Sequence, residues 1–169
     1  MISFPAYSAT MEDVEDSLDE LERVEGFIPD IIITDYASII RPEKKYNDPR
    51  HDIGDIFKAH KRMAQTRSAL VVTGAQSLGS GRAALSKDMQ DESDIGETAY
   101  ILAHVDILTT LDQTPDEKEK GVWRTGGIEH RWKRFNKRRQ VMMLQQLELG
   151  QPTIDTEIIY YSGGKKKDE

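Results

Sequence analysis

The chain has 169 residues, enough for one domain of ordinary size, and its composition of 37% hydrophobic and 31% charged residues is typical of a soluble protein. No apolar stretch is long enough to span a membrane, and the absence of cysteine excludes disulfides and thiol catalysis and predicts a cytoplasmic protein. The net charge of -7 argues against a uniformly basic nucleic-acid binder, so any contact with DNA must come from a local basic patch.

The first predicted elements are a helix and a strand. Thr10 is a suitable N-cap and Gly26 ends the helix, and between them one apolar stripe recurs at three- and four-residue steps, formed by Met11, Val14, Leu18, Leu21 and Val24. The next segment, residues 29–40, reads PDIIITDYASII. Its unbroken apolar run predicts a strand buried on both faces, as in a parallel sheet, with Asp35 at the carboxyl end.

The rest of the chain predicts strands and helices joined by two long loops. Asp48 and Pro49 suit the start of a second helix. After it we expect a buried strand at 68–76, a loop at 77–92, a short helix at 97–102, a strand at 104–111, a loop at 112–127, a polar hairpin at 128–136 and 140–148, and a strand at 156–161. Strand, helix and strand at this spacing predict parallel pairing. The predicted fold class is therefore α/β, with a mostly parallel sheet flanked by helices and an antiparallel hairpin at one edge.

Asp35 is the first candidate site residue. In open α/β sheets ligands bind at the carboxyl ends of the strands, and a carboxylate there can hold Mg²⁺ beside a nucleotide phosphate. This arrangement is the Walker B pattern. The structural alternative is an ordinary aspartate in the turn after a buried strand.

A second candidate is the basic segment at residues 131–139, RWKRFNKRR, which carries six basic side chains and no acidic one. In a ring of subunits, a cation that reaches a nucleotide held by the neighbour can neutralise charge on the γ-phosphate, and the planar fork of arginine suits this task. The structural alternative is an edge hairpin whose charges keep it soluble.

Four stretches together resemble the carboxyl-terminal half of the RecA-like motor domain of DnaB-family replicative helicases. IIITDYASII is similar to the family's Walker B strand, and ALVVTGAQ is similar to the next core strand, which ends in the γ-phosphate-sensing glutamine, here Gln76. SDIGETAYILAHVDILTTL is similar to a DNA-binding loop followed by a strand, and RFNKRRQ stands at the position of a Lys-x-Arg finger. The order and spacing of the four stretches carry the resemblance.

The resemblance implies an ATP-dependent 5′-to-3′ DNA helicase that works as a hexameric ring, a homo-oligomer with single-stranded DNA in its channel. Asp35 would place Mg²⁺, and Gln76 would sense the γ-phosphate of ATP. The finger that acts on the neighbouring subunit's nucleotide would be Lys137 and Arg139, with Arg138 as a further nucleotide contact. The residues implied in DNA binding are Arg82, Lys87, Gly96 and Glu97.

The sequence also departs from the family pattern. It contains no G-x-x-x-x-G-K-[ST] loop, which in the family holds the β- and γ-phosphates, and Gly96 stands where the family's loop has an arginine. The family's catalytic Glu would lie upstream of residue 1. We therefore expect residues 1–161 to be the carboxyl-terminal half of a RecA-like ATPase core, with the missing amino-terminal half-domain as a partner, and residues 162–169 to be a disordered charged tail. We also expect a phage origin and action in the cytoplasm of a bacterial host cell.

Two other hypotheses stay open from the sequence. One is a non-catalytic RecA-like interaction protein, similar to RadA or KaiC, that regulates a recombinase or a helicase. The other is a nucleotide-binding signalling domain that binds ATP without DNA. Fold alone does not decide between these functions.

Overall fold

The computed structural model describes residues 1–76, 98–134 and 140–157. These residues form two compact units, the first from residues 1–76 and 98–105 and the second from residues 106–134 and 140–157. The predicted loop at 77–92 and the predicted tail at 162–169 lie outside the described residues. Within the described ranges, no helix has both the length and the apolar character that a membrane crossing needs.

The first unit begins with helix α1, Met11–Glu25, as the sequence predicts. The Thr10 hydroxyl accepts a hydrogen bond from the Asp13 amide at 3.2 Å, and the Asp13 carboxylate accepts one from the Thr10 amide at 2.8 Å. This reciprocal capping box satisfies two amides that a helix start would otherwise leave unpaired. At the other end, Gly26 adopts the left-handed conformation of a helix C-cap.

Helix α2, Pro49–Arg67, is also confirmed, with the Asp48 carboxylate capping the Arg50 amide at 3.0 Å. One side of α2 supplies much of the core of this unit, through the buried residues Ile53, Ile56, Phe57, His60 and Met63. Helix α3, Thr98–Leu102, packs on α2, where the Tyr100 ring lies against Gly54 and Ile101 is fully buried. A Cβ atom at position 54 would lie 3.4 Å from the Cβ and Cδ1 atoms of Tyr100, so the two helices pack closely at this position.

Two short strands complete the first unit. Strand β1, Ile31–Thr34, pairs in parallel with β2, Leu70–Thr73, in the register Ile31↔Leu70 to Thr34↔Thr73. The prediction that these strands are buried on both faces is wrong. Only one face packs on the helices, through residues such as Ile32 and Val71 in the cluster that also contains Met11, Leu18 and Met63. An apolar run predicts that a strand can be buried. Whether one face or both faces are covered depends on helices from other parts of the chain, which the run itself does not specify.

The second unit is a four-stranded antiparallel sheet in the order β3-β4-β5-β6. Its elements are strand β3, Ile107–Asp112, helix α4, Pro115–Glu119, strand β4, Val122–His130, strand β5, Gln140–Gln146, and strand β6, Gln151–Glu157. The predicted loop at 112–127 therefore holds a helix and the first two thirds of strand β4. The predicted strand at 128–136 begins earlier and ends at His130, and the predicted final strand begins at Gln151.

The prediction of a mostly parallel sheet is also wrong for the described residues, where parallel pairing is confined to β1 and β2. Parallel neighbours need a crossover of a dozen or more residues, whereas only residues 113–121 separate β3 from β4. Such a connection brings the chain back antiparallel. The class α/β is confirmed, with parallel and antiparallel pairing in separate sheets.

A buried polar network lies inside the second unit. Arg124 pairs with Glu117, with the Nε and Oε1 atoms 2.6 Å apart, and its Nη1 donates to the Gln140 side-chain oxygen at 2.8 Å. The Gln140 amide nitrogen donates to Asp112 Oδ2 at 2.8 Å, and the Thr110 hydroxyl donates to the same oxygen at 2.9 Å. Four elements are thereby joined through directed hydrogen bonds, which fix their register more strictly than apolar contacts do.

Gly121 precedes β4 with φ of +63°, and a Cβ atom there would lie 2.7 Å from the Gln145 carbonyl oxygen. We expect Gly121→Ala to lower the free energy of unfolding by about 2–4 kcal/mol, because a left-handed backbone and a backbone clash add together. Gly150 is the matched control, since it has φ of +68° and open space around the Cβ position. Gly150→Ala should cost only about 1–2 kcal/mol. Equal losses in urea unfolding would contradict the clash.

Candidate functional site

Asp35 and Gln76 are the predicted site residues that the structure describes. Asp35 directly follows β1, and Gln76 lies three residues after the end of β2. Because the two strands are parallel and paired through Thr34↔Thr73, both residues leave the same edge of the sheet. Both are exposed. The Asp35–Tyr36 peptide bond is cis. The Ala37 amide donates a hydrogen bond to the Gly74 carbonyl oxygen at 3.2 Å, and this bond joins the segment after β1 to the segment after β2.

The base of this edge is tied by side-chain hydrogen bonds. The Thr73 hydroxyl donates to the Thr34 carbonyl oxygen at 3.0 Å. His60 Nδ1 lies 2.8 Å from the Ile56 carbonyl oxygen, which can only accept, so Nδ1 carries the proton. His60 Nε2 then accepts from the Thr34 hydroxyl at 2.9 Å. Helix α2 is thus bonded to the residue that precedes Asp35, and sequence periodicity gave no sign of this role for His60.

His60 makes the stability of the first unit depend on pH. Burial lowers the pKa of His60 from its ordinary value of 6.5, although the bond to Ile56 opposes this shift. The unfolded chain therefore takes up a proton at a pH where the folded chain does not. The contribution of neutral His60 to the free energy of unfolding should be fully present above pH 6.5. It should fall as the pH drops from 6.5 to the lower pKa of the folded chain, by at most about 1.4 kcal/mol per pH unit.

The check is urea unfolding, followed by circular dichroism, between about pH 5 and pH 8. In the original chain the free energy of unfolding should fall with pH below the ordinary pKa of histidine, and His60→Gln should make this dependence on pH weaker, with a flatter slope. The exposed His51, changed to glutamine, is the control, and that variant should keep the slope. An unchanged slope in His60→Gln would contradict the assignment.

The donor set at this edge suits magnesium held jointly with a phosphate. No cluster of three or more metal-ligating side chains occurs within residues 1–76, 98–134 and 140–157. Mg²⁺ does not need such a cluster, because it commonly takes one or two carboxylates and completes its octahedron with water and substrate phosphates. Asp35, exposed at the strand end, fits that pattern. Gln76 offers an amide that can both donate and accept a hydrogen bond.

The other predicted site residues lie outside the described residues. They are the candidate finger residues Lys137, Arg138 and Arg139 and the candidate DNA contacts Arg82, Lys87, Gly96 and Glu97. The structure describes strand β5, which follows the candidate finger residues in the sequence. Gln140, the first residue of β5, is held by Arg124 and Asp112 in the buried network. The residue that follows the basic segment in the sequence, Gln140, is therefore held in place by hydrogen bonds of its side chain.

The first unit also contains a cavity with a mostly charged lining. A cavity of about 330 Å³ lies between residues 41–44 and α2. Four cations, Arg41, Lys44, Lys58 and Arg62, line it together with the acids Glu43 and Asp55. It is separate from Asp35 and Gln76, neither of which is among its lining residues, and it is an alternative location for an anionic ligand.

The solved structures that match this chain over most of its length include the following two. One is an ATPase domain, which superposes with a TM-score of 0.68 at 18% sequence identity, covering 84% of this chain and 50% of that chain. The other is a DnaB-like replicative helicase, solved to describe its interactions with primase, which superposes with a TM-score of 0.66 at 17% identity, covering 82% of this chain and 34% of that chain. The chain has the fold of DnaB-like helicase ATPase domains.

This match confirms the resemblance to DnaB-like ATPase domains at the level of fold. The chain spans half the length of the solved ATPase domain and about a third of the length of the DnaB-like helicase. Half of the solved ATPase domain therefore has no counterpart in these 169 residues. Neither a protein-family model nor a curated protein matches the chain.

Proposed function

We propose that this chain is part of the motor of a DnaB-like, ATP-dependent DNA helicase and that it supplies one edge of the ATP site. The observation that carries the proposal is the position of Asp35 and Gln76 at the carboxyl ends of paired parallel strands, in a chain with the fold of helicase ATPase domains. That edge is where α/β sheets bind ligands, and phosphoryl transfer requires a placed metal ion there.

Each proposed role follows from the chemistry of the side chain. The Asp35 carboxylate orients the water shell or the phosphate oxygens around Mg²⁺. The Gln76 amide bonds to the γ-phosphate or to the attacking water, and the loss of this bond after hydrolysis reports nucleotide state to the segment that follows. Lys137 and Arg139, with Arg138, act on the nucleotide of the next subunit in a hexameric ring.

The proposal places DNA contacts on the segment after Gln76, through Arg82, Lys87, Gly96 and Glu97. Cations and backbone amides hold single-stranded DNA in part through its phosphates, and the segment after Gln76 offers two cations for this, Arg82 and Lys87. The motor would act in the cytoplasm, in a bacterial host if the chain is phage-encoded. A phosphate-binding loop must come from another segment, because this sequence contains no G-x-x-x-x-G-K-[ST].

The test is ATP hydrolysis with and without single-stranded DNA. We define the companion segment as the polypeptide, encoded in the same genome nearest to this chain, that carries a G-x-x-x-x-G-K-[ST] loop after a predicted strand. DNA-stimulated hydrolysis that requires both polypeptides is the expected result. No hydrolysis by the folded mixture would contradict the proposal.

The lack of a phosphate-binding loop in this sequence favours one second candidate. A non-catalytic RecA-like protein that regulates a recombinase or a helicase would keep the sheet and would not need that loop. It should bind its partner without any hydrolysis. The nucleotide sequence upstream distinguishes the two cheaply, since a coding segment with the loop supports the motor and an intergenic region supports the stand-alone regulator.

A further inference from the structure

The cavity between residues 41–44 and α2, which we call the basic cavity, carries positive charge in a chain that is negative overall. Four cations and two acids line it, so the lining has a net charge of +2. The whole chain has a net charge of -7. Because a cleft with low-dielectric walls concentrates the field of its charges, a small anion is drawn to this cavity although most of the molecule repels it.

The four cations are divided between the two walls of the basic cavity. Lys58 and Arg62 lie one turn apart on α2, so their side chains share one face of that helix. Arg41 and Lys44 come from the segment that forms the other wall. Each wall therefore supplies two cations, and a ligand with two linked phosphate groups can contact both walls at the same time.

Two of the cations have no partner of their own. Within the part of the chain that the structure describes, Lys44 and Lys58 form no hydrogen bond and no ion pair. The acid that α2 contributes to the lining, Asp55, accepts a hydrogen bond from the Tyr46 hydroxyl at 2.7 Å. Asp55 is thus held by a neutral side chain, and both ammonium groups stay available to a ligand.

The two arginines of the basic cavity are bonded to the protein. Arg41 Nε donates to the Ser8 carbonyl oxygen at 3.1 Å, and the Arg41 amide donates to the Ala9 carbonyl oxygen at 2.8 Å. Arg62 Nη2 lies 3.4 Å from Glu15 Oε1. A guanidinium group has five N–H donors, so each arginine keeps donors beyond these bonds. The bonds of Arg41 fix the start of its wall before a ligand arrives, which lowers the entropic cost of binding.

The size and the charge of the basic cavity define the class of ligand. A volume of about 330 Å³ is at the lower end for small-molecule sites, and it suits a diphosphate or one nucleotide. A strand of DNA needs a groove that extends over several nucleotides. A divalent metal ion is repelled by the excess of cations, so the ligand should bind without Mg²⁺.

We propose that the basic cavity is a second ligand site of this chain and that it binds a small anion with two linked phosphate groups, without a metal ion. Both of its walls lead to the end of β1. Residues 41–44 come shortly after Asp35 in the sequence, and Ile56, on the α2 wall, is bonded through His60 to Thr34. A bound anion therefore joins two segments that adjoin the proposed ATP edge.

The experiment titrates inorganic pyrophosphate into the full chain by calorimetry, in buffer that contains EDTA, and locates the anion by NMR. We expect one site, with shifts of amide signals centred on residues 41–44 and 55–62 and smaller shifts at residues 34–37. Adenosine diphosphate, titrated in the same way, distinguishes the sources of the two phosphates. Tighter binding than pyrophosphate identifies a nucleotide, weaker binding identifies the free diphosphate, and either result supports the site.

Two neighbouring lysines provide a matched pair of variants. Lys44→Glu should weaken the binding of pyrophosphate by about tenfold or more, because it reverses a charge that lines the cavity. Lys45→Glu makes the same change in net charge at a residue outside the lining and should leave the affinity within about threefold. Circular dichroism checks that both variants remain folded, as the exposure of both lysines predicts.

Equal losses of affinity in the two variants, or amide shifts centred away from the cavity, would overturn the proposal. So would sulfate that binds as tightly as pyrophosphate, since this result means an adventitious ion only. A requirement for Mg²⁺, with loss of binding in Asp35→Asn, would assign the phosphates to the end of β1 and overturn it as well. Displacement by single-stranded DNA, with an affinity that rises with strand length, would overturn it by assigning the cations to nucleic acid.

This inference goes beyond the proposed function and does not depend on it. The titration uses the chain alone and needs neither the companion segment nor hydrolysis of ATP. A motor without an anion site and an anion site without a motor are therefore both recognisable.

Discussion

Asp35→Asn should reduce ATP hydrolysis by the chain mixed with its companion segment by about 100-fold or more. Asparagine keeps the size of the side chain and one acceptor oxygen but removes the negative charge that we propose holds Mg²⁺. The exposed position of Asp35 at the end of β1 means that the substitution leaves the core unchanged. The rate loss should therefore come without a loss of folding stability, and steady-state kinetics with urea unfolding measures both.

Asp30→Asn is the matched control for this prediction. Asp30 is an exposed aspartate immediately before β1, and its backbone carbonyl accepts from the Leu70 amide at 2.8 Å. The same chemical change at the amino end of the same strand should leave hydrolysis within about twofold of the original rate. Equal effects at the two ends would mean that net charge, and not a metal ligand, governs the rate.

Arg124→Met should lower the free energy of unfolding of the second unit by about 3–5 kcal/mol. The guanidinium group is buried, and its removal takes away the cation that Glu117 and the Gln140 side-chain oxygen contact. Burial raises the pKa of Glu117, but the hydrogen bonds from Thr114 and Arg124 prevail and lower it, so this carboxylate is charged in the folded chain. The main costs are the loss of the cation beside the partly buried Glu117 carboxylate and the loss of the donor to the Gln140 side-chain oxygen, which is buried.

Tryptophan fluorescence measures this loss, because both tryptophans of the chain, Trp123 and Trp132, belong to the second unit. Arg131→Met is the control. Its ion pair with Asp106, at 3.5 Å, is partly exposed, and such pairs contribute only about 0–1 kcal/mol. A loss below about 1 kcal/mol in Arg124→Met would contradict a structural role for the network.

The helices of the first unit were predictable because their signals are local. Thr10, Gly26 and Asp48 are capping residues whose effect acts within one turn, and the apolar stripes repeat at helical spacing. The position of Asp35 at a strand end was predictable for a similar reason. Gln76 could be identified as a candidate site residue only from the family resemblance, because a glutamine after a strand has no distinctive local pattern.

Local signals did not predict that one face of the β1–β2 sheet is exposed, nor that the later strands pair antiparallel. Ile33 and Val72 are as apolar as core residues, and only tertiary packing determines that they are exposed. Gly121 and the short helix after Thr114 reverse the chain within a polar segment, so the sequence predicted a loop over residues 112–127 and missed the first residues of β4. The buried network of Arg124 also has no sequence signal, since a charged residue in a strand usually faces solvent.

The most direct test of the account is the location of the metal–nucleotide complex in the chain bound to its companion segment. Mn²⁺ with ATP broadens the NMR signals of nearby amides, and the account predicts that residues 34–37 and 74–76 lose intensity first and that Asp35→Asn abolishes the loss. Broadening centred on the basic cavity lined by Arg41, Lys44, Lys58 and Arg62 would contradict the assignment of the ATP site to the ends of β1 and β2.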